Sequence, residues 1–165
     1  MSQLKLDGPR LTLQVMARQA AALLPADRAR AAAAVDVALD PEWPLPDLVD
    51  ILPRHAAADE DDLPFGVWLI VERSSDTVVG DVGFHGPPDA MGTVEIGYSI
   101  VPSRRARGYA TEAPRTLIAW ARRQPRVRRI VAGCAPDNPA SIRTLERSGF
   151  VRDGEREGEL RWVLP

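Results

Sequence analysis

Hydrophobic and polar positions in the middle of the chain follow the two-residue period of β-strands. The apolar segments FGVWLIVER, TVVGDVGFHG and TVEIGYSIV are separated by the short loops SSD and PPDAMG. Short loops between such segments predict three strands joined as an antiparallel meander.

The pattern after this meander changes to a helical period. In ATEAPRTLIAWARRQ, four apolar residues lie on one helical face that should pack on the sheet: Ala110, Ala113, Leu117 and Trp120. The apolar segment RRIVAGCAP then predicts another strand. Strand, helix and strand over residues 93–136 form a crossover unit, so the two strands should be parallel.

Both ends of the chain add elements to this sheet. RLTLQVM alternates like a first strand, and the alanine-rich PADRARAAAAVDVAL favours a helix. Five prolines occur in the next segment, DPEWPLPDLVDILPRHAAADEDDLP, and predict short helical pieces and loops. Near the C-terminus, a short helix ended by Gly149 is predicted for NPASIRTLERSG. A hairpin that turns near Gly158 is predicted for FVRDGEREGELRWVLP. We expect an α/β (α+β) fold with one mixed sheet.

Length and composition limit the class of protein. The chain has 165 residues, of which 45% are hydrophobic, so residues 1–165 are expected to form a single domain. No apolar run approaches the roughly 18 residues of a membrane helix, and the start lacks the pattern of a signal peptide. We therefore expect a cytoplasmic protein without membrane contact. One cysteine and two histidines make a disulfide impossible and a metal site unexpected, although carboxylate sites for magnesium stay open.

Charge is distributed unevenly along the chain. Residues 1–100 contain 7 Lys or Arg and 16 Asp or Glu, whereas residues 101–165 contain 14 and 7. A basic second half suits a polyanionic ligand and an acidic first half suits a cationic one, although two solvated surfaces of unlike sign explain the counts equally well. The nine arginines of residues 101–129 also suggest a nucleic-acid binder, but interleaved aromatic residues are lacking.

The segment RRARGYATEA lies between the third meander strand and the amphipathic helix. Free backbone N–H groups at a helix N-terminus can bind a phosphate, and Gly108 lets the chain approach it closely. The spacing of Arg105, Gly108 and Ala110 is common by chance, so the position between strand and helix carries the hypothesis.

Two segments together give the sequence a family resemblance. VEIGYSIVPSRRARGYATEA, followed 25 residues after Ala113 by NPASIRTLERSGF, resembles the GNAT N-acetyltransferase superfamily, in particular a branch similar to ribosomal-protein alanine N-acetyltransferases. The match runs from about Thr93 to Phe150, and the first 64 residues match in element order at best.

The resemblance implies an acetyl-CoA-dependent N-acetyltransferase that transfers an acetyl group to a primary amine, either a protein N-terminus or a small molecule, by direct attack in a ternary complex. The arginine side chains of RRARGYATEA would meet the coenzyme's phosphates, and the pyrophosphate would lie on the amides of the arginine loop: Arg105, Ala106, Arg107, Gly108, Tyr109 and Ala110. The pantetheine arm would run along the backbone of Ile100 and Val101, and one of these two amides, with Val101 favoured over Ile100, would polarise the thioester carbonyl.

The resemblance also suggests catalytic residues. An amine acceptor is mostly protonated at neutral pH, so a base must remove a proton from it. Glu95, acting through water, is the first candidate for this base, and His85 is the second candidate. Asn138 and Ser141 come from the family's Asn-x-x-Ser element. Asn138 should also cap its helix, and Ser141 would protonate the departing thiolate, with Tyr109 as the rival acid.

Several alternatives stay open at this stage. A non-catalytic acyl-CoA-binding or regulatory protein of the same fold is the second hypothesis, ahead of a nucleic-acid binder. Cys134 is expected to be a buried structural thiol, and Trp43 could form a wall of the acceptor site. Pro114 leaves the start of its helix undecided between Tyr109 and a cap at Thr111. The short C-terminal hairpin leaves the acceptor side open or completed by a second subunit, which suggests a possible homodimer.

Overall fold

The computed structural model describes residues 3–165, and this part of the chain contains nine strands and six α-helices. The strands are β1 Lys5–Asp7, β2 Leu11–Val15, β3 Ala38–Leu39, β4 Val67–Glu72, β5 Thr77–Phe84, β6 Thr93–Ile100, β7 Arg129–Cys134, β8 Val151–Arg156 and β9 Glu159–Leu164. The helices are α1 Arg18–Leu23, α2 Arg28–Val35, α3 Pro46–Val49, α4 Leu52–Ala56, α5 Tyr109–Ala121 and α6 Pro139–Arg147, with 3₁₀ turns at Leu63–Phe65 and Pro102–Arg104.

The strands form one mixed sheet in the order β1-β2-β4-β5-β6-β7-β9-β8, with β3 beside β5. The meander β4-β5-β6 is antiparallel, and β6 and β7 on either side of α5 are parallel, so both predictions are confirmed. The final hairpin turns at Glu157 and Gly158, which both have positive φ (53° and 82°), as a two-residue hairpin turn requires.

The pairing of β6 changes along its length, and this change opens the sheet. Its last residues, Ile96–Ile100, pair with β5, but only Thr93–Glu95 pair with β7. Beyond Glu95 the two parallel strands separate. The sheet therefore contains a wedge-shaped gap, which we call the β6–β7 gap, at the end where the chain enters α5.

Helix α5 covers one face of the sheet. Its Trp120 contacts Phe65 and Trp68, with ring centroids 5.4 and 5.5 Å apart. Trp68 lies opposite Val82 of β5, so α5 lies on the Val82 face. Of the four residues predicted on the buried helical face, Ala113, Leu117 and Trp120 are buried, whereas Ala110 is half-buried.

Some elements differ from the expectation. Helix α1 and strand β1 lie where the sequence pattern gave no signal, and the alanine-rich segment is helical only over α2 before it turns into β3. Helix α5 begins at Tyr109, so Pro114 lies inside it and the Ala110 carbonyl lacks its helical donor. The packing of α5 on β2, β5 and β6 holds this helix intact over 13 residues despite the proline.

Candidate active site

The arginine loop presents a row of free backbone donors. The amides of residues 106–110 donate to no described residue, while the Arg105 amide is used within the 3₁₀ turn, 3.3 Å from the Pro102 carbonyl. Positive φ angles at Ala106 (61°) and Gly108 (83°) fold the loop back on itself before α5. Successive N–H groups that point outward at a helix N-terminus form a binding site for an anion.

Glu72, at the end of β4, holds this loop from behind. Its carboxylate accepts hydrogen bonds from Arg104 and from the Tyr109 hydroxyl (2.7 Å), and Arg107 lies 3.5 Å away. Burial alone would favour the neutral acid, but the hydrogen bonds from Tyr109, Ser75 and Arg104 outweigh it and lower the pKa of Glu72 to about 2. Glu72 therefore stays ionised and fixes both ends of the loop.

This network changes the predicted role of the arginines. Arg104 points inward to Glu72 and lies 3.6 Å from Asp40, so it is not directed at a phosphate. Arg105 donates from Nε to the Ile100 carbonyl at 2.9 Å. The backbone amides, rather than three free guanidinium groups, are the main donors that the loop offers.

The free edge of β6 offers further donors. Val101 N–H donates to the Val79 carbonyl at 2.9 Å, and Glu95 C=O accepts from His85 N–H at 2.9 Å. Because the N–H and C=O of one residue point to the same side in antiparallel pairing, the odd-numbered residues of β6 face β5. The amides of Tyr98 and Ile100 therefore face the β6–β7 gap. Of the two amides predicted to polarise the thioester, that of Val101 is already used within the sheet, which leaves the amide of Ile100.

A groove of about 450 Å³ joins the loop, the β6 edge and α6. It brings together most of the predicted coenzyme residues, namely Ile100, Arg105, Ala106, Gly108, Tyr109, Ala110, Asn138 and Ser141. Val101 is fully buried and, like Arg107, does not line the groove. The Asn138 side chain accepts from the Ser141 amide at 3.1 Å, which confirms the helix cap.

Tyr98 lies at the inner end of this groove and was missed from the sequence. Its phenol is near the hydroxyls of Thr144 and Ser141, and burial raises its pKa to about 12. It is therefore a neutral hydroxyl at physiological pH. Tyr109, the rival acid, is buried, and its hydroxyl donates a hydrogen bond to Glu72 at 2.7 Å, which favours Ser141 over Tyr109 as the acid.

Glu95 and His85 lie together on the sheet face opposite α5. His85 Nδ1 is 3.7 Å from Glu95 Oε2, and Arg161 on β9 is 3.1 Å from Glu95 Oε1. The contact with His85 and then that with Arg161 lower the pKa of Glu95 to about 2 against the effect of burial. His85 Nε2 lies over Gly97, 3.0 Å from the position that a β-carbon there would occupy.

A second carboxylate, Asp81, lies on the same face, opposite Ser99 in the strand register. Its Oδ2 accepts from the Trp43 indole N–H at 2.9 Å and from the Ser99 hydroxyl at 3.0 Å. Burial raises the pKa of Asp81 to about 6 in spite of these two hydrogen bonds. Trp43 is buried behind Asp81, so it supports this face from the core and does not form an exposed wall.

A cavity of about 200 Å³, the acceptor-side cavity, lies over this face. Asp81, His85, Gly97 and Ser99 form its floor, and α3 and the residues after it cover it through Leu48 and Ile51. Tyr98 and Ser99 line both this cavity and the groove. The β6–β7 gap therefore connects a groove with free backbone amides on one side to a cavity with a carboxylate and a histidine on the other.

The sequence does contain signals for the missed residues. Asp81 is a carboxylate inside the apolar pattern TVVGDVGF, and such a residue needs buried partners or a function.

Cys134, as expected, is a buried free thiol. Among the described residues, no His, Cys, Asp and Glu side chains form a group of three that could hold a metal ion. Within residues 3–165, no helix has both the length and the apolar character needed to cross a bilayer.

The sheet with its β6–β7 gap and the free amides before α5 define the class of protein as an acetyltransferase of the GNAT type. Residues 10–151 match the family model of the acetyltransferase (GNAT) domain. A curated relative, the uncharacterized N-acetyltransferase YjdG of Bacillus subtilis (strain 168), is 35% identical over 125 residues, which are 74% of each chain. The chain belongs to the GNAT acetyltransferase family and is an acetyl-CoA-dependent N-acetyltransferase.

Solved structures share the fold. RimL, a ribosomal L7/L12 alpha-N-protein acetyltransferase, superposes with a TM-score of 0.69 at 16% identity, over 99% of this chain and 94% of RimL. The microcin C7 self-immunity acetyltransferase MccE, in complex with acetyl-CoA and AMP, gives a TM-score of 0.65 at 21% identity, over 94% and 92% of the two chains. At these identities the likeness is one of fold, and the family resemblance found in the sequence is confirmed.

Proposed function

We propose that acetyl-CoA binds in the groove with its pyrophosphate on the amides of residues 106–110 and its acyl end in the β6–β7 gap. The observation that carries this proposal is the row of five free amides at the start of α5, next to the unpaired edge of β6. Amides directed at one point bind a phosphate oxygen well because their dipoles are already oriented. Acetyl-CoA supplies the activated acetyl thioester, and the protein orients it.

The amides of Tyr98 and Ile100 are the donors proposed for the acyl end. Both face the gap, and Ile100 lines the groove beside the loop. A donor that meets the thioester carbonyl oxygen stabilises the negative charge that develops there during attack. Ser141, with Tyr98 beside it, lies on the groove side and would supply the hydrogen bond or proton that the departing sulfur takes.

The acceptor is a primary amine that enters from the acceptor-side cavity. The ammonium first gives a proton to a base on the cavity side. The neutral nitrogen then attacks the acetyl carbonyl carbon, the carbon–sulfur bond breaks, the nitrogen loses its second proton, and the departing thiolate is protonated. A carboxylate with a pKa near 2 accepts this proton poorly, because a general base works best with a pKa near the operating pH. We therefore assign the proton to His85 Nε2, and Glu95 holds the His85 ring in place.

The separate roles of His85 and Glu95 are tested by the rates of two variants. His85→Gln should lower kcat at least tenfold. Glu95→Gln should lower kcat less. Unchanged kcat in His85→Gln would return the role of base to Glu95, and unchanged activity in Glu95→Gln would remove Glu95 from the mechanism.

The activity itself is tested by the release of free thiol from acetyl-CoA in the presence of primary amines. Product masses raised by one acetyl group would support direct transfer in a ternary complex. Binding of acetyl-CoA without thiol release by any amine would favour the non-catalytic alternative. Cytoplasmic location and a homodimer stay predictions from the sequence.

A further inference from the structure

The lining of the acceptor-side cavity is acidic, although Asp47 also lines the groove together with Arg104 and Arg105. The cavity lining includes the carboxylates of Asp47 and Asp81, and within the described chain no lysine or arginine lines it. Arg161 of β9 is engaged by Glu95 and Glu159. Carboxylates in a cavity whose described lining contains no lysine or arginine favour a cationic ligand.

Asp81 is the carboxylate placed to meet such a ligand. Both of its protein donors, Trp43 and Ser99, contact Oδ2, and no described residue donates to Oδ1. The cavity reaches the Asp81 side chain, although protein surrounds it on the other sides. Asp81 is half-buried, so this oxygen is free to accept a hydrogen bond from a ligand that enters the cavity.

The position of Asp81 connects this oxygen to the reaction. Ser99, which donates to Asp81, lies between Tyr98 and Ile100, the two residues whose amides face the β6–β7 gap. Ser99 itself lines both the groove and the cavity. A group bound to Asp81 Oδ1 would therefore lie on the cavity side of the gap, next to the acetyl thioester.

We propose that Asp81 binds the ammonium group of the acceptor and that the enzyme selects primary amines without a carboxylate on the adjacent carbon. This inference rests on the proposed function, since it needs the acyl end in the β6–β7 gap. Peptide N-termini and amino-acid amides present an ammonium beside a neutral carbonyl, whereas free amino acids would bring a carboxylate next to Asp47 and Asp81.

The size of the cavity fits the end of an acceptor. At about 200 Å³ it is smaller than the roughly 300–1,000 Å³ of complete small-molecule sites. Leu48 and Ile51 offer apolar contact to the carbon that carries the amine. The remainder of a peptide would extend outside the cavity.

Alaninamide and alanine test this selection, because they differ only in the charge beside the amine. The wild-type chain should acetylate alaninamide and the peptide Ala-Ala-Ala-amide with a kcat/KM at least tenfold above that of alanine, compared at equal concentrations of free amine. Equal use of alanine and alaninamide would overturn the proposal without any variant.

Asp81→Asn tests the residue. Asparagine keeps an oxygen that accepts from Trp43 and Ser99 but removes the charge. We expect the KM for alaninamide to rise at least tenfold while the KM for acetyl-CoA is unchanged, and the preference over alanine to shrink. Asp50→Asn, at an exposed carboxyl outside the cavity lining, is the matched control and should leave both constants unchanged.

The two proposals fail in different ways. An unchanged alaninamide KM in Asp81→Asn, with normal acetyl-CoA binding, overturns the role of Asp81 alone. The proposed function of the groove is overturned if acetyl-CoA does not stabilise the wild-type chain against heat. It is also overturned if acetyl-CoA binding does not depend on the loop of residues 106–110.

Discussion

Replacing Asp81 with asparagine should make the protein more stable as the pH rises, although it removes a functional group. The cause is the cost of keeping an ionised carboxylate in a half-buried position with neutral hydrogen-bond donors. Asparagine resembles the protonated acid in shape and can keep the hydrogen bonds from Trp43 and Ser99. The variant therefore isolates the charge.

The magnitude follows from the pKa of Asp81, which burial raises from 3.8 to about 6. This change is about a hundredfold in the protonation equilibrium, or about 3 kcal/mol. A folded-state pKa above the unfolded value means that the carboxyl does not destabilise the protein below pH 3.8. Its destabilising effect grows between pH 3.8 and 6 and is complete above pH 6.

The assay is urea unfolding of the wild type and Asp81→Asn at pH 4, 5, 6, 7 and 8. The two free energies of unfolding should agree within error at pH 4 and diverge to about 3 kcal/mol in favour of the variant at pH 8. Asp50→Asn corrects for the loss of one negative charge from the acidic half of the chain. A difference that stays constant with pH, or a less stable variant at pH 8, would refute the argument from burial.

Two further predictions concern the arginine loop. Gly108→Val should weaken acetyl-CoA binding at least tenfold in a titration, because φ at this position is +83° and a β-carbon would lie 3.1 Å from Arg10. Gly154→Val is the control: φ there is +85°, the space around it is open, and the variant should bind acetyl-CoA normally. Glu72→Gln should lower the free energy of unfolding at pH 7 by up to about 3 kcal/mol and raise the KM for acetyl-CoA, since the loop loses its anchor. The pKa of Glu72 is lowered from 4.5 to about 2 in the folded state, so its contribution to stability is present above pH 4.5 and is lost as the pH falls through 2. An equal difference in stability between wild type and variant at pH 7 and at pH 2 would contradict this reasoning.

Most of the secondary structure could be predicted because local patterns specify it. The meander, the crossover helix and the final hairpin all have a clear period and clear turn residues, and the structure confirms them. The elements that were missed are short ones, β1 and α1, whose stability comes from neighbours rather than from their own sequence. Pro114 shows the same principle, because packing on three strands holds a helix that the local sequence weakens.

The candidate site divides in the same way. The sequence by itself identified the arginine loop as a candidate phosphate site, Asn138 as a helix cap and Glu95 as a candidate base, because each belongs to a contiguous motif. Only the tertiary structure decided which amides are free, since the use of the Val101 amide depends on the register between β5 and β6. It likewise brought Glu72 to the loop and Asp81 to Ser99, across separations of 32 and 18 residues. A hydrogen bond or a buried charge depends on distance in space, and strand pairing sets that distance between residues that are far apart in the chain.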